Sequence, residues 1–184
     1  MHLDMEYALL EHGKSLKIKN AGDRSMEMNY CMRCGARLTM RELPEEGMVP
    51  YCEDCGDYRF PVFSTAVSML ALNRERTRIL LITQYGKPYF VLPAGYVDKG
   101  ENAEHAVRRE LKEELGMEAL DLRYLSSHYY EPSETLMLNF MVTIEEKEPT
   151  PNREVDSWRW FPIGEAKGVV RPGGLAERLL KDWP

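Results

Sequence analysis

Three carboxylates crowd together in the second half of the chain: Glu110, Glu113 and Glu114. Spacings of three and four put them on one face if the segment is helical. Like charges so placed disfavour an isolated helix by roughly 0.2–0.5 kcal/mol per pair, so the helix gains nothing from them. A divalent cation reverses the sign, because hard Mg2+ or Mn2+ takes several carboxylate oxygens plus water. A solvated acidic face is the plainer meaning of the same run, and spacing alone leaves both readings open.

The second group is soft. The chain has four cysteines, in two pairs: Cys31-Met32-Arg33-Cys34 and Cys52-Glu53-Asp54-Cys55. Seventeen residues separate the pairs, the spacing of a zinc ribbon. Four thiolates close a tetrahedron around Zn2+ and leave no open position, so the site is expected to hold structure rather than do chemistry. Gly35 and Gly56 follow the pairs directly and permit the tight turns that a knuckle needs. Two disulfides are the alternative. They are disfavoured because MHLDMEYALLEHGK, with acids inside its apolar stretch, does not read as a secretory signal.

The carboxylates belong to a longer pattern. Gly95 is followed after five residues by Glu101, and after seven more by Arg109-Glu110-Leu111-Lys112-Glu113-Glu114-Leu115-Gly116-Met117. This resembles the Nudix box, Gly-x5-Glu-x7-Arg-Glu-U-x-Glu-Glu-x-Gly-U with U aliphatic, and every fixed position is met. Nudix hydrolases cleave a nucleoside diphosphate linked to another group. The resemblance implies an α/β/α sandwich with a mixed sheet, of α/β (α+β) class. It implies that Glu110, Glu113 and Glu114 coordinate Mg2+ or Mn2+, with Glu110 alternatively a general base. Arg109 would orient a catalytic glutamate through a charge-assisted hydrogen bond, and Glu101 would support it. A surface salt bridge is the competing reading of that pair. Gly95 would form a sharp loop whose backbone approaches the metal.

A four-cysteine ribbon ahead of such a domain resembles the NADH pyrophosphatase family. Pro93-Ala94-Gly95-Tyr96-Val97 is similar to that family's Ala-Gly-aromatic-Val lead into the box, which makes Tyr96 a candidate for stacking on a base. Arg153–Phe161 resembles the segment that carries a further metal-binding glutamate, and points to Glu154. The tail from Arg171 to Trp183 resembles the family's last helix, so the likeness covers about residues 29–183. The departure lies at Ser127-His128-Tyr129-Tyr130, where the family has Ser-Gln-Pro-Trp, associated with choosing NADH. Tyr130 is the candidate replacement for the tryptophan as a flat surface. His128 lies on the expected substrate side, but a lone histidine is more often structural, and His105 is expected at the surface. The implied substrate is a small nucleotide: NADH or NAD+ giving AMP plus nicotinamide mononucleotide, or ADP-ribose or another ADP-linked metabolite. Homodimers are common among the relatives. A nucleotide-sensing domain without catalysis is the rival reading.

These groups must be positioned by regular elements. Asn102–Leu115 is the best helix, with Asn102 as N-cap, Ala103, Val107 and Leu111 as its core stripe, and Gly116 as its stop. Strands are expected at Ser64–Leu72, Arg78–Thr83, Phe90–Leu92, Leu122–Ser126, Leu136–Ile144 and Ser157–Phe161. Asn73–Thr77 reads as a hairpin turn, Gln84–Tyr89 and Glu145–Asn152 as loops, and Leu175–Asp182 as a last helix. Turn signals inside the ribbon fall at Pro44, Gly47 and Pro50, and a short helix is expected near Leu3–Glu11. The division is therefore a leader over 1–28, a zinc ribbon over 29–62 and a Nudix domain over 63–184.

Composition narrows the rest. The chain has 184 residues, 43% hydrophobic and 29% charged, which are globular proportions. It has no run of 18 apolar residues, so no membrane span and a cytoplasmic location are expected. The net charge of −6, and a ribbon with more acids than bases, make nucleic acid an unlikely partner.

Overall fold

The computed structural model describes residues 28–181. The expected helix near Leu3–Glu11 lies outside them. The described residues fall into two compact units divided between Val62 and Phe63.

The first unit is a three-stranded antiparallel sheet: β1 (Thr39–Leu43), β2 (Gly47–Cys52) and β3 (Asp57–Tyr58), in that spatial order. Pro44 and Gly47 flank the β1–β2 turn as expected, with Gly47 at φ 80°. Pro50 is not a turn. It stands inside β2 opposite Met40, and on its other side its carbonyl accepts the Arg59 N–H at 2.7 Å, a bond that does not use the missing proline N–H.

The second unit carries a six-stranded mixed sheet. Its strands are β4 (Ser64–Leu72), β5 (Arg78–Gln84), β6 (Ala94–Tyr96), β7 (Asp121–Tyr130), β8 (Thr135–Thr143) and β9 (Val155–Pro162). The order is β7-β8-β4-β5-β9, with β6 also on β4. β4 and β8 run parallel; the other pairs are antiparallel. Helix α1 (Ala103–Leu115) covers one face; α2 (Ile163–Ala166) and α3 (Leu175–Lys181) cover the other. This is the expected α/β/α arrangement of a mixed sheet.

Packing decides α1. Val107, Leu111 and Leu115 are fully buried against Val67, Met69, Leu80 and Ile82 of the sheet. Burial of each is worth about 2 kcal/mol, several times the repulsion among the three glutamates. Asn102 caps the start, accepting the His105 N–H at 2.8 Å, and Gly116 ends the helix at φ 62°.

The site depends on how β4 shares one edge. It pairs with β5 only at Ala71 and Leu72, and with β6 at Ala66–Ser68. β5 therefore diverges from β4 and leaves room for β6. The expected strand at Phe90–Leu92 is instead two isolated bridges, Ile82 to Val91 and Phe90 to Val170, with the named strand four residues later. β7 also runs further than expected, through Ser127–Tyr130, and pairs with β8 to Thr135. β9 begins at Val155, with an irregularity that leaves Asp156 unmatched between Val155 and Ser157.

Candidate functional site

Gly95 lies in β6, so it is neither a sharp loop nor a left-handed residue. Its importance is the absent side chain. A Cβ there would fall 2.0 Å from the carboxyl carbon of Glu110, inside its van der Waals shell. The β6 backbone and the α1 carboxylate thus interlock at this point.

Arg109 organises what surrounds it. Its Nε and one terminal nitrogen donate to both oxygens of Glu101, at 3.0 and 2.9 Å. The same terminal nitrogen donates to the Tyr96 carbonyl at 2.8 Å. The other donates to Glu110 at 2.7 Å and Glu113 at 3.1 Å. A fork with this many fixed partners differs from an exposed single pair. Arg109 holds the Glu101 carboxyl below the usual carboxylate range. Burial pushes Glu110 above that range, against the pull of Arg109.

Glu114 is the deepest of the acids, at 2% exposure. Burial and the charge of Glu110 push its carboxyl up to about 8. Its Oε1 accepts from the Gln84 side-chain amide at 2.8 Å. Its Oε2 is buried with no hydrogen-bond partner among the described residues. Such an atom costs about 1–3 kcal/mol when left unsatisfied, and more when charged. Glu154 is exposed, and its charge also raises Glu114 and Glu110. Asn152 ties its loop to the helix: its N–H donates to the Glu114 carbonyl at 2.9 Å and its Oδ1 accepts the Glu154 N–H at 2.8 Å.

Among the described residues, the four thiols are the one group of three or more ligating side chains converged tightly enough to share an ion. The four glutamates do not converge to that degree. An orphaned buried oxygen, a Glu110 carboxylate seated against the Gly95 backbone and an all-oxygen donor set nevertheless fit a hard divalent cation such as Mg2+ or Mn2+. Mg2+ commonly takes only one or two carboxylates and completes its shell with water and phosphate.

The thiols fit zinc closely. All four sulfurs lie within 4.8 Å of one another, with Cys34 to Cys52 at 3.5 Å and Cys31 to Cys55 at 3.9 Å. A tetrahedron of about 2.3 Å Zn–S bonds has edges of about 3.8 Å. None is in a disulfide. Gly35 and Gly56 take φ 76° and 65° and donate to the carbonyls of Cys31 and Cys52. The half-buried Arg59 donates to the Cys31 sulfur at 3.3 Å, placing a cation beside the thiolates.

The two aromatic candidates fall elsewhere. The rings of Tyr96 and Tyr130 both pack with the core on the α2/α3 face, opposite α1. Tyr96 is half-buried, whereas Tyr130 is 3% exposed, so the ring expected to offer an open platform has no open face. The β-pairing of Ser127–Tyr130 is the reason, since it turns Tyr130 into the core. His128 is half-buried, and burial lowers its imidazole. His105 is exposed, as expected.

Sequence reading missed Gln84 and Asn152. Gln84 was findable: Leu80 and Ile82 face α1, and period-two alternation places Gln84 on the same face. Asn152 carries no comparable signal, because its role arises from the approach of a loop to a helix end.

Residues 62–180 match the family model of the NUDIX domain. Among curated relatives, the NAD-capped RNA hydrolase NudC of Chromobacterium violaceum is 30% identical over 80% of this chain and 56% of its own length. That of Pseudomonas aeruginosa is 25% identical over 82% of this chain and 54% of its own. The chain thus spans about half the length of the curated relatives it matches. Among solved structures, the NUDIX hydrolase of Nitrosomonas europaea shares the fold, with a TM-score of 0.58 at 18% identity, over 84% of this chain and 92% of that one. A complete box, folded with Glu110 seated over Gly95 and Arg109 forked between the acids, together with a family match over most of its length, makes this chain a member of the NUDIX family.

Proposed function

We propose that this protein is a metal-dependent pyrophosphatase acting on a nucleoside diphosphate linked to a second group. The reading rests above all on Glu114, a carboxylate buried among other acids with one oxygen left without a hydrogen-bond partner. Glu110, Glu113, Glu114 and Glu154, with the backbone at Gly95, would hold Mg2+ or Mn2+. When bound, such ions neutralise the pyrophosphate and acidify the attacking water. Arg109, braced by Glu101, keeps Glu110 and Glu113 aimed; Glu110 is also the candidate base. Cys31, Cys34, Cys52 and Cys55 would hold a structural Zn2+ in a ribbon over 29–62, ahead of a catalytic domain over 63–184. Assembly as a homodimer belongs to the same proposal, and sedimentation measures it.

NADH or NAD+, cleaved to AMP and the nicotinamide mononucleotide, is the first substrate class, supported by relatives named as hydrolases of NAD-capped RNA. ADP-ribose or another ADP-linked metabolite is the second, favoured by the burial of Tyr130 in the segment where an NADH-selecting signature would stand. Chromatography of products decides between them. Zinc-loaded protein with Mn2+ is offered NADH, NAD+, ADP-ribose, diadenosine polyphosphates and nucleoside triphosphates, with Glu114→Gln as control. AMP plus reduced mononucleotide, lost in the variant, supports the first class. AMP from ADP-ribose alone supports the second. No turnover of any of them overturns the hydrolase reading and leaves a nucleotide-binding domain.

A further inference from the structure

The corner at the end of β5 is built at a conformational cost. Tyr85 takes φ 55°, a left-handed backbone that bulky L-residues rarely adopt, and Gly86 follows at φ 67°. Such a residue costs on the order of 1–3 kcal/mol and persists only where its surroundings enforce it. Here two bonds enforce it. The Gly86 N–H donates to the Asp156 carboxylate at 2.7 Å, and the Lys87 N–H returns to the Gln84 carbonyl at 3.1 Å. Asp156 is available because it is the residue left unmatched in the β5–β9 ladder. Gln84 is therefore fixed from both sides: by its pairing with Val155 behind and by the strained turn ahead.

This corner holds the Gln84 side chain still. The Gln84 amide donates to Glu114 Oε1 at 2.8 Å. That bond occupies one oxygen of Glu114 and leaves Oε2 as its orphan. A carboxylate with both oxygens free could rotate about its last torsion; this one cannot without breaking the bond. We propose that Gln84 is a positioning residue for the metal site, fixing the plane of the Glu114 carboxylate so that Oε2 is the oxygen offered to Mg2+ or Mn2+. The inference rests on the reading of Glu114 as a ligand. Hydrogen-bond partners of metal ligands commonly change metal affinity by about 10–100-fold when removed.

The test is a Mn2+ titration of the full-length, zinc-loaded protein, with free Mn2+ followed by electron paramagnetic resonance. Gln84→Met keeps the length of the side chain and removes the donor. Gln84→Asn keeps the amide but withdraws it by one methylene. Thr83→Val, one residue away on the opposite face of β5, is the control. Both Gln84 variants are expected to weaken Mn2+ binding about tenfold, and Thr83→Val to bind as the wild type does. Equal affinity in wild type and Gln84→Met overturns the positioning role alone. An equal loss of affinity in Thr83→Val also overturns it, because any disturbance of β5 would then weaken the site. Absence of Mn2+ binding by the wild type overturns both this inference and the metal reading beneath it.

Discussion

A methyl group is the smallest side chain that can replace hydrogen at Gly95, and it would overlap the Glu110 carboxyl carbon at 2.0 Å. The atom in its way is the far end of a flexible side chain, so the fold can yield where the site cannot. Gly95→Ala is expected to lower turnover at least 100-fold while shifting the melting temperature by only a few degrees, measured by steady-state kinetics beside calorimetry. Glu114 gives a prediction in the pH dimension. Its folded value of about 8 stands above the ordinary 4.5, so the metal-free native state binds a proton that the unfolded chain has released. Stability of the metal-free protein therefore falls as pH rises from about 4.5 to about 8. Glu114→Gln removes that slope. In chelator at pH 8 the variant is expected to melt several degrees above wild type, and added Mn2+ to raise the wild type only. A wild-type curve flat across this range counts against the buried charge.

At the scale of elements, α1 is anchored at both ends, and each anchor can be measured. Asn102→Ala removes the N-cap bond and is expected to destabilise by about 1 kcal/mol in urea unfolding. Gly116→Ala must accept φ 62° and a Cβ 3.1 Å from that of Thr150, so a larger loss of about 1–3 kcal/mol is expected. Both caps were legible in the sequence, because capping is local chemistry written in neighbouring residues. The Ser64–Leu72 strand and the glutamate spacing were legible for the same reason. β6 was not, since a three-residue strand exists only because β5 diverges from β4. The course of Ser127–Tyr130 was also hidden. The segment's difference from Ser-Gln-Pro-Trp carries no information on its course, whereas its pairing to Thr135–Leu138 fixes it as strand and buries Tyr130. The demand on Gly95 comes from a side chain on another element, not from a sharp loop or from its own φ.

The described residues offer metals two unlike sets of donors. The ribbon presents four sulfurs, and the sheet unit presents carboxylate oxygens. Softness should sort the ions between them. A thiophilic chelator is expected to release one zinc per chain, seen by elemental analysis, and to make all four thiols react rapidly with a disulfide reagent. Magnesium in excess should not protect them. Among the described residues no helix is long and apolar enough to cross a membrane. The connection from β8 to β9 has a consequence for how such a chain can change length. Its first acids, Glu145 and Glu146, pair with Arg74 and Arg78, while Thr150 and Asn152 bond to the last carbonyls of α1. The stretch from Thr150 to Glu154 is thus a ruler laid off from the helix end. One residue added there would displace Glu154 by up to about 3.5 Å, whereas a residue added at Glu148, between the two sets of bonds, would bulge into solvent. Insertions and deletions should therefore be tolerated on one side of Thr150 and excluded on the other, though the two sides look alike in composition.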